Sequence, residues 1–122
     1  MESLCIMRDI YKAISDFEER FNETHHVCLN EAMVVCSLKD GMLSATEIAE
    51  KTGMTTSHTS KIIRSVEEKE LIQRVLGDKD KRQMYFNLSG KGKTCLSNVE
   101  CDNVEIPDIL KPVFNKKRGK HA

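Results

Sequence analysis

Residues 44–74 read SATEIAEKTGMTTSHTSKIIRSVEEKELIQR, and this stretch decides the fold. Ser44 and Glu47 stand three apart at its start. That spacing is a capping box: the Ser44 hydroxyl accepts from the Glu47 amide, and the Glu47 carboxylate reaches back to the Ser44 amide. Leu43 and Ile48 flank the cap as a hydrophobic staple. The helix so begun is expected to stop at Thr52, with Gly53 making the turn. Thr55 then caps a second helix running to about Lys69. Ala49 is small enough for the two helices to cross closely, and Ile62, Ile63 and Val66 give the second helix an inner apolar face, with Thr59 a weaker member. Two short helices joined by a tight turn make a helix-turn-helix.

The outer face of the second helix is polar. Ser57, Lys61 and Arg64 follow an i, i+4, i+7 spacing and share one side. Thr56, His58 and Ser60 lie around it. Hydroxyls, an imidazole and two cations suit a DNA major groove, where short groups approach base edges and cations reach bases or phosphates. An isolated helix of this composition would more often be a plain solvated one, so the surroundings carry the weight.

Downstream, Leu71 to Leu76 and Met84 to Leu88 read as two short strands. The charged, Gly-started segment Gly77-Asp78-Lys79-Asp80-Lys81-Arg82 between them predicts a hairpin. Ser89 caps a further helix carrying Cys95, Leu96 and Val99. Upstream, Met7, Ile10, Ile14, Phe17 and Phe21 form an apolar stripe on a helix over 2–22. Residues 22–28 read as a connection, and Asn30 as the cap of a helix to Leu38 with Ala32, Val35, Cys36 and Leu38 buried. Asp40-Gly41 ends it. The expected fold is mainly α with a small antiparallel β-hairpin, a winged helix-turn-helix, with a core including Ile48, Ala49, Ile62, Ile63, Val66 and Leu71. Residues 1–115 form the domain, and 116–122 a basic, disordered tail.

Residues 44–92 resemble the MarR family of transcriptional regulators. The segment 44–74 is similar to the family's DNA-binding helices, and GDKDKRQMYFNLSGKG (77–92) to its wing and next helix. Asp80 and Arg82 match an Asp and Arg two apart in the wing. Leu88, Ser89 and Gly92 match a Leu-Ser/Thr-x-x-Gly segment, and Arg74 an arginine after the recognition helix. The resemblance implies double-stranded DNA binding, with Arg82 in the minor groove and Asp80 holding it. Lys79 and Lys81 would add phosphate contacts, and Ser57, His58 and Lys61 stand where the family's recognition helix meets bases and backbone. It also implies a homodimer, through the first helix and the Ile109 to Phe114 region, with recognition helices about 34–36 Å apart. Glu70 departs from the family, which usually has Gly there, and the chain after Gly92 is short for the family's dimer helices.

Bulk properties agree with this reading. The chain has 122 residues and no net charge, but residues 1–50 hold 4 Lys/Arg against 10 Asp/Glu and residues 51–122 hold 15 against 9. The basic half suits a polyanion. There is no apolar run of membrane-spanning length and no signal-peptide pattern, so a cytoplasmic protein without membrane contact is expected. Five cysteines without a C-x-x-C pair suit reduced thiols. Cys5 offers an oxidant-sensing thiol, although a helical Cys more often only packs. His25, His26, Cys28 and Cys36 offer metal-type ligands in no standard spacing. No cofactor and no catalytic motif is read, and a small-molecule or oxidant effector stays open. The competing reading is a winged helix used only for protein contacts.

Overall fold

The helix-turn-helix forms as its local signals dictate. In the computed structural model, which describes residues 2–77, 83–101 and 107–112, the capped helix is α3 (Ala45–Thr52) and the following one α4 (Thr56–Glu68). Both halves of the capping box are made, at 2.9 Å and 3.2 Å. Gly53 sits at φ 78°, ψ 9° and its amide closes onto the Ala49 carbonyl at 2.9 Å. A left-handed residue ends the helix sharply, and glycine adopts it without a Cβ penalty. Thr55 accepts from the His58 amide, and α4 starts there.

Around this pair lie α1 (Glu2–His25), α2 (Leu29–Ser37) and α5 (Gly90–Cys101), with a 3₁₀ turn at Asp108–Leu110. Strands β1 (Leu43–Ser44), β2 (Ile72–Leu76) and β3 (Met84–Leu88) form one antiparallel sheet in the order β1-β3-β2. The expected hairpin is therefore the larger part of a three-stranded sheet. Leu43 pairs with Phe86 and Ser44 with Tyr85, so the residue that caps α3 also ends a strand. The core is aliphatic: Val34, Ile48 and Val66 are fully buried, with Val35, Ile63, Leu71, Phe86 and Leu96 around them.

Four sequence expectations are corrected. Helix α1 runs to His25, so the connection is shorter than 22–28. It stops because His26 takes φ 60° and its amide bonds the Asn22 carbonyl at 2.7 Å, a one-residue αL cap. Helix α2 is capped at Cys28, not Asn30, because the Glu31 carboxylate accepts the Cys28 amide at 2.9 Å. Its buried side then holds Val34 and Glu31, while Cys36 is exposed. Of the expected core residues, Ile62 is half-buried at the margin and the other five are buried. Thr59 is fully buried, and its hydroxyl donates to the Thr55 carbonyl at 2.7 Å, which satisfies it inside its own helix.

The end of α4 shows why Glu70 can replace a glycine. The Leu71 amide bonds the Val66 carbonyl and the Glu70 amide the Glu67 carbonyl, at 3.2 and 2.9 Å. That is a Schellman motif with Val66 and Leu71 both buried behind it. Glu70 takes φ 63° to make it. An L residue is strained there and glycine is not, so Glu70→Gly should raise stability by about 0.5–1 kcal/mol. Urea denaturation with an unchanged or lowered midpoint would contradict this.

Candidate nucleic-acid interface

Burial of Thr59, Ile63 and Val66 fixes the rotation of α4 about its axis. The opposite side faces outward, and Thr56, Ser57, His58, Lys61 and Arg64 are all exposed. Of the expected major-groove residues, Ser57, Lys61 and Arg64 share one side of α4, and Thr56 and His58 flank it. Among the described residues, Lys61 and Arg64 make no ion pair, so both cations stand free. Ser60 is turned onto its own helix, its hydroxyl on the Thr56 carbonyl at 3.1 Å. His58 is held at both ends, its amide by the Thr55 cap and its ring Nε2 by the Asn30 side-chain amide at 3.0 Å. Sequence reasoning missed Asn30, which looked like a helix cap.

Helix α4 is braced at its other end by Glu31. This carboxylate is almost fully buried, at 4% exposure. It accepts from the Ser65 hydroxyl, from Lys69 Nζ at 2.8 Å and from the Cys28 amide. Burial alone would push the carboxyl pKa up, but the hydrogen bonds from Lys69, Ser65 and Cys28 and the Lys69 charge outweigh it, so the group is held below its ordinary value. Lys69 also donates to the His26 carbonyl at 3.1 Å, which ties in the turn after α1.

Strands β2 and β3 pair from Ile72 with Leu88 to Leu76 with Met84. The Gly77 amide bonds the Gln83 carbonyl at 3.0 Å and closes the neck of the hairpin. Lys79, Asp80, Lys81 and Arg82 lie outside the described residues, as do Val113, Phe114 and the 116–122 tail. Arg74 forks onto Glu67, with Nε–Oε2 at 2.7 Å and Nη2–Oε1 at 3.2 Å, and its guanidinium lies 5.8 Å from the centre of the Phe86 ring. It fastens the sheet to α4.

The remaining candidates are separate. Cys5 is exposed on α1, and its neighbour Arg8 turns to Asp9 at 3.8 Å. Among the described residues no group of three or more His, Cys, Asp or Glu side chains is arranged to hold a metal, so His25, His26, Cys28 and Cys36 are not gathered into one site. No helix of the described residues is long and apolar enough to cross a membrane.

Residues 28–84, which hold α2, the helix-turn-helix with its outward polar face and strand β2, match the model of the MarR family. Over that segment the chain resembles the MarR family. Solved structures resemble the chain over almost its whole length. The S. aureus MepR–DNA complex is 18% identical, covers 94% of this chain and 90% of its own, and has a TM-score of 0.62. YusO from Bacillus subtilis is 22% identical over 98% and 92%, with a TM-score of 0.66. The transcriptional regulator BldR from Sulfolobus solfataricus is 21% identical over 98% and 96%, at 0.64. No curated protein matches the chain. The MarR-family resemblance and the fold expected from the sequence are both borne out.

Proposed function

We propose that this chain is a transcriptional regulator that binds double-stranded DNA, with α4 in the major groove and the wing on the minor groove. The observation that carries the reading is the outward face of α4, on which Ser57, Lys61 and Arg64 lie exposed. A face of short polar groups and unpaired cations, on a helix held rigidly from behind, is suited to base edges and phosphates. S. aureus MepR has been crystallised with DNA in a similar fold, which supports the reading by analogy.

The wing contacts follow from the resemblance of Asp80 and Arg82 to the family's wing pair. Arg82→Ala should remove a minor-groove contact, weaken binding by about 1–3 kcal/mol and flatten preference for A·T-rich flanks. Lys79→Ala should weaken binding to all duplexes alike and lower the salt slope by about one unit. Asp80→Ala should act by freeing Arg82 and add little in an Arg82→Ala background. Titrating these variants against selected and random duplexes at several salt concentrations checks all three. An Arg82→Ala protein with unaltered affinity and preference returns the wing to protein contacts.

The working unit is a homodimer. Helix α1 is 24 residues long, about 36 Å, yet Phe21 is its only buried residue. Leu4, Met7 and Tyr11 stand 70%, 64% and 76% exposed, and Ile14 is also exposed. The Asp108–Leu110 turn packs against this helix and leaves Ile109 exposed beside it. An apolar helix face of this length is covered economically by a second copy. Sedimentation should give a species of twice the 13.9 kDa chain, and Ile14→Asp should shift it toward monomer. A monomer alone at about ten micromolar, an ordinary range for such interfaces, would remove the dimer.

A small effector has room between the end of α1 and α5. A cavity of about 800 Å³ opens there, with His25, Lys69, Lys91, Cys95 and Asn98 on its walls. Since Lys69 also bonds Glu31 behind α4, an occupant of this cavity would bear on the position of the recognition helix.

A further inference from the structure

We infer that Asn30, on α2 and outside the helix-turn-helix, is a positioning residue that sets which hydrogen-bonding group His58 shows to DNA. The inference rests on the DNA-binding reading and deepens it. The contact is between Asn30 Nδ2 and His58 Nε2, at 3.0 Å. An amide nitrogen of this kind only donates. Nε2 is then the acceptor, the tautomer with the ring proton on Nδ1. Among the described residues Nδ1 has no partner of its own. His58 is exposed and in the first turn of α4, at the end that enters a groove first.

The backbone is held on both sides of the pair. The His58 backbone is pinned by the Thr55 cap. Asn30 is next to Glu31, whose bonds to Ser65, Lys69 and the Cys28 amide lock the start of α2 onto the far end of α4. A free imidazole offers either nitrogen as donor or acceptor. Here the acceptor is consumed within the protein, and the ring faces outward as a donor alone. A lone donor suits the major-groove acceptors, N7 and O6 of guanine, N7 of adenine and O4 of thymine, or a phosphate oxygen. It cannot accept from the amino group of cytosine or adenine. The base preference under His58 is therefore decided in part on a helix that precedes the helix-turn-helix.

The test has a spectroscopic and a binding arm. Long-range ¹⁵N–¹H spectra of the full chain at about pH 8, where an unperturbed imidazole is neutral, should show His58 protonated on Nδ1. Asn30→Ala should return the ring toward the Nε2–H form. Asn30→Asp, close to isosteric but able only to accept when ionised, should impose that form. In the second arm, wild type and variants select from duplexes with a randomised core of about 20 base pairs. Asn30→Ala should bind the wild-type consensus about 3- to 10-fold more weakly and lose preference at one position per half-site. That loss should vanish in a His58→Ala background. An unchanged tautomer in both Asn30 variants overturns the inference, as does an Asn30→Ala effect that survives removal of the ring. Enrichment of a consensus by wild type with the same consensus from Asn30→Ala also overturns it, while leaving DNA binding intact. No enrichment by wild type overturns the DNA reading and this inference together.

Discussion

Gly92→Ala is expected to lower the unfolding free energy by about 3 kcal/mol. A Cβ built at Gly92 falls 1.9 Å from the Leu71 carbonyl oxygen and 2.9 Å from its carbon. The obstacle is backbone, and it has little room to yield. The Leu71 carbonyl accepts the Ser89 amide at 3.0 Å, and the Ser89 hydroxyl donates to the Glu70 carbonyl at 2.6 Å. That hydroxyl also accepts the Gly92 amide at 3.0 Å and so caps α5. An added methyl group therefore pushes α5 away from the joint between α4 and the sheet. The melting temperature should fall by about 10 °C. A denaturant midpoint within error of wild type would show that α5 slides without cost, and that the close approach is not a constraint.

Glu31→Ala should cost about 2–3 kcal/mol at neutral pH. The substitution leaves the Cys28 amide without its cap, the Ser65 hydroxyl without its acceptor and Lys69 with only the His26 carbonyl. Lys69 is partly exposed, at 40%, so water softens the loss of its partner. The effect should depend on pH with a fixed sign. The folded carboxyl is held below its ordinary value, so the unfolded chain takes up the proton first as pH falls. The contribution is whole above the unfolded value of about 4.3 and is lost as pH falls through the depressed folded value. Wild type and Glu31→Ala should differ most near pH 7 and converge in acid. A difference that stays constant from about pH 7 to pH 3 would mean that the carboxylate charge contributes nothing.

The sequence was most legible where a signal and its consequence lie within one helical turn. The Ser44/Glu47 box, Gly53, the Thr55 cap and Ser89 all fall where local chemistry puts them. The inward phase of α4 was legible because its apolar residues recur at the helical period. The two-residue strand β1 was not, since only its pairing with β3, some forty residues away, makes it a strand. Glu31 was missed because a carboxylate is buried only when partners arrive, and Ser65 and Lys69 lie 34 and 38 residues downstream. The same distance hid Asn30, whose partner is 28 residues away. The shift of the α2 cap from Asn30 to Cys28 follows from Glu31, because a carboxylate three residues into a helix claims the cap amide. Gly92 was visible only through the family resemblance, and its physical reason is the approach of α5 to the Leu71 carbonyl.

If α4 and the wing form a DNA-binding surface, binding must respond to salt and to the cations of α4. Fluorescence anisotropy of a labelled random duplex, titrated with wild type and with a Lys61→Ala/Arg64→Ala protein across salt concentrations, tests it most directly. Wild type should bind with log affinity falling linearly against log salt, and the double variant should bind more weakly with a slope shallower by about two units. Saturable binding that ignores both salt and the two substitutions, or no binding at low salt, would contradict the account.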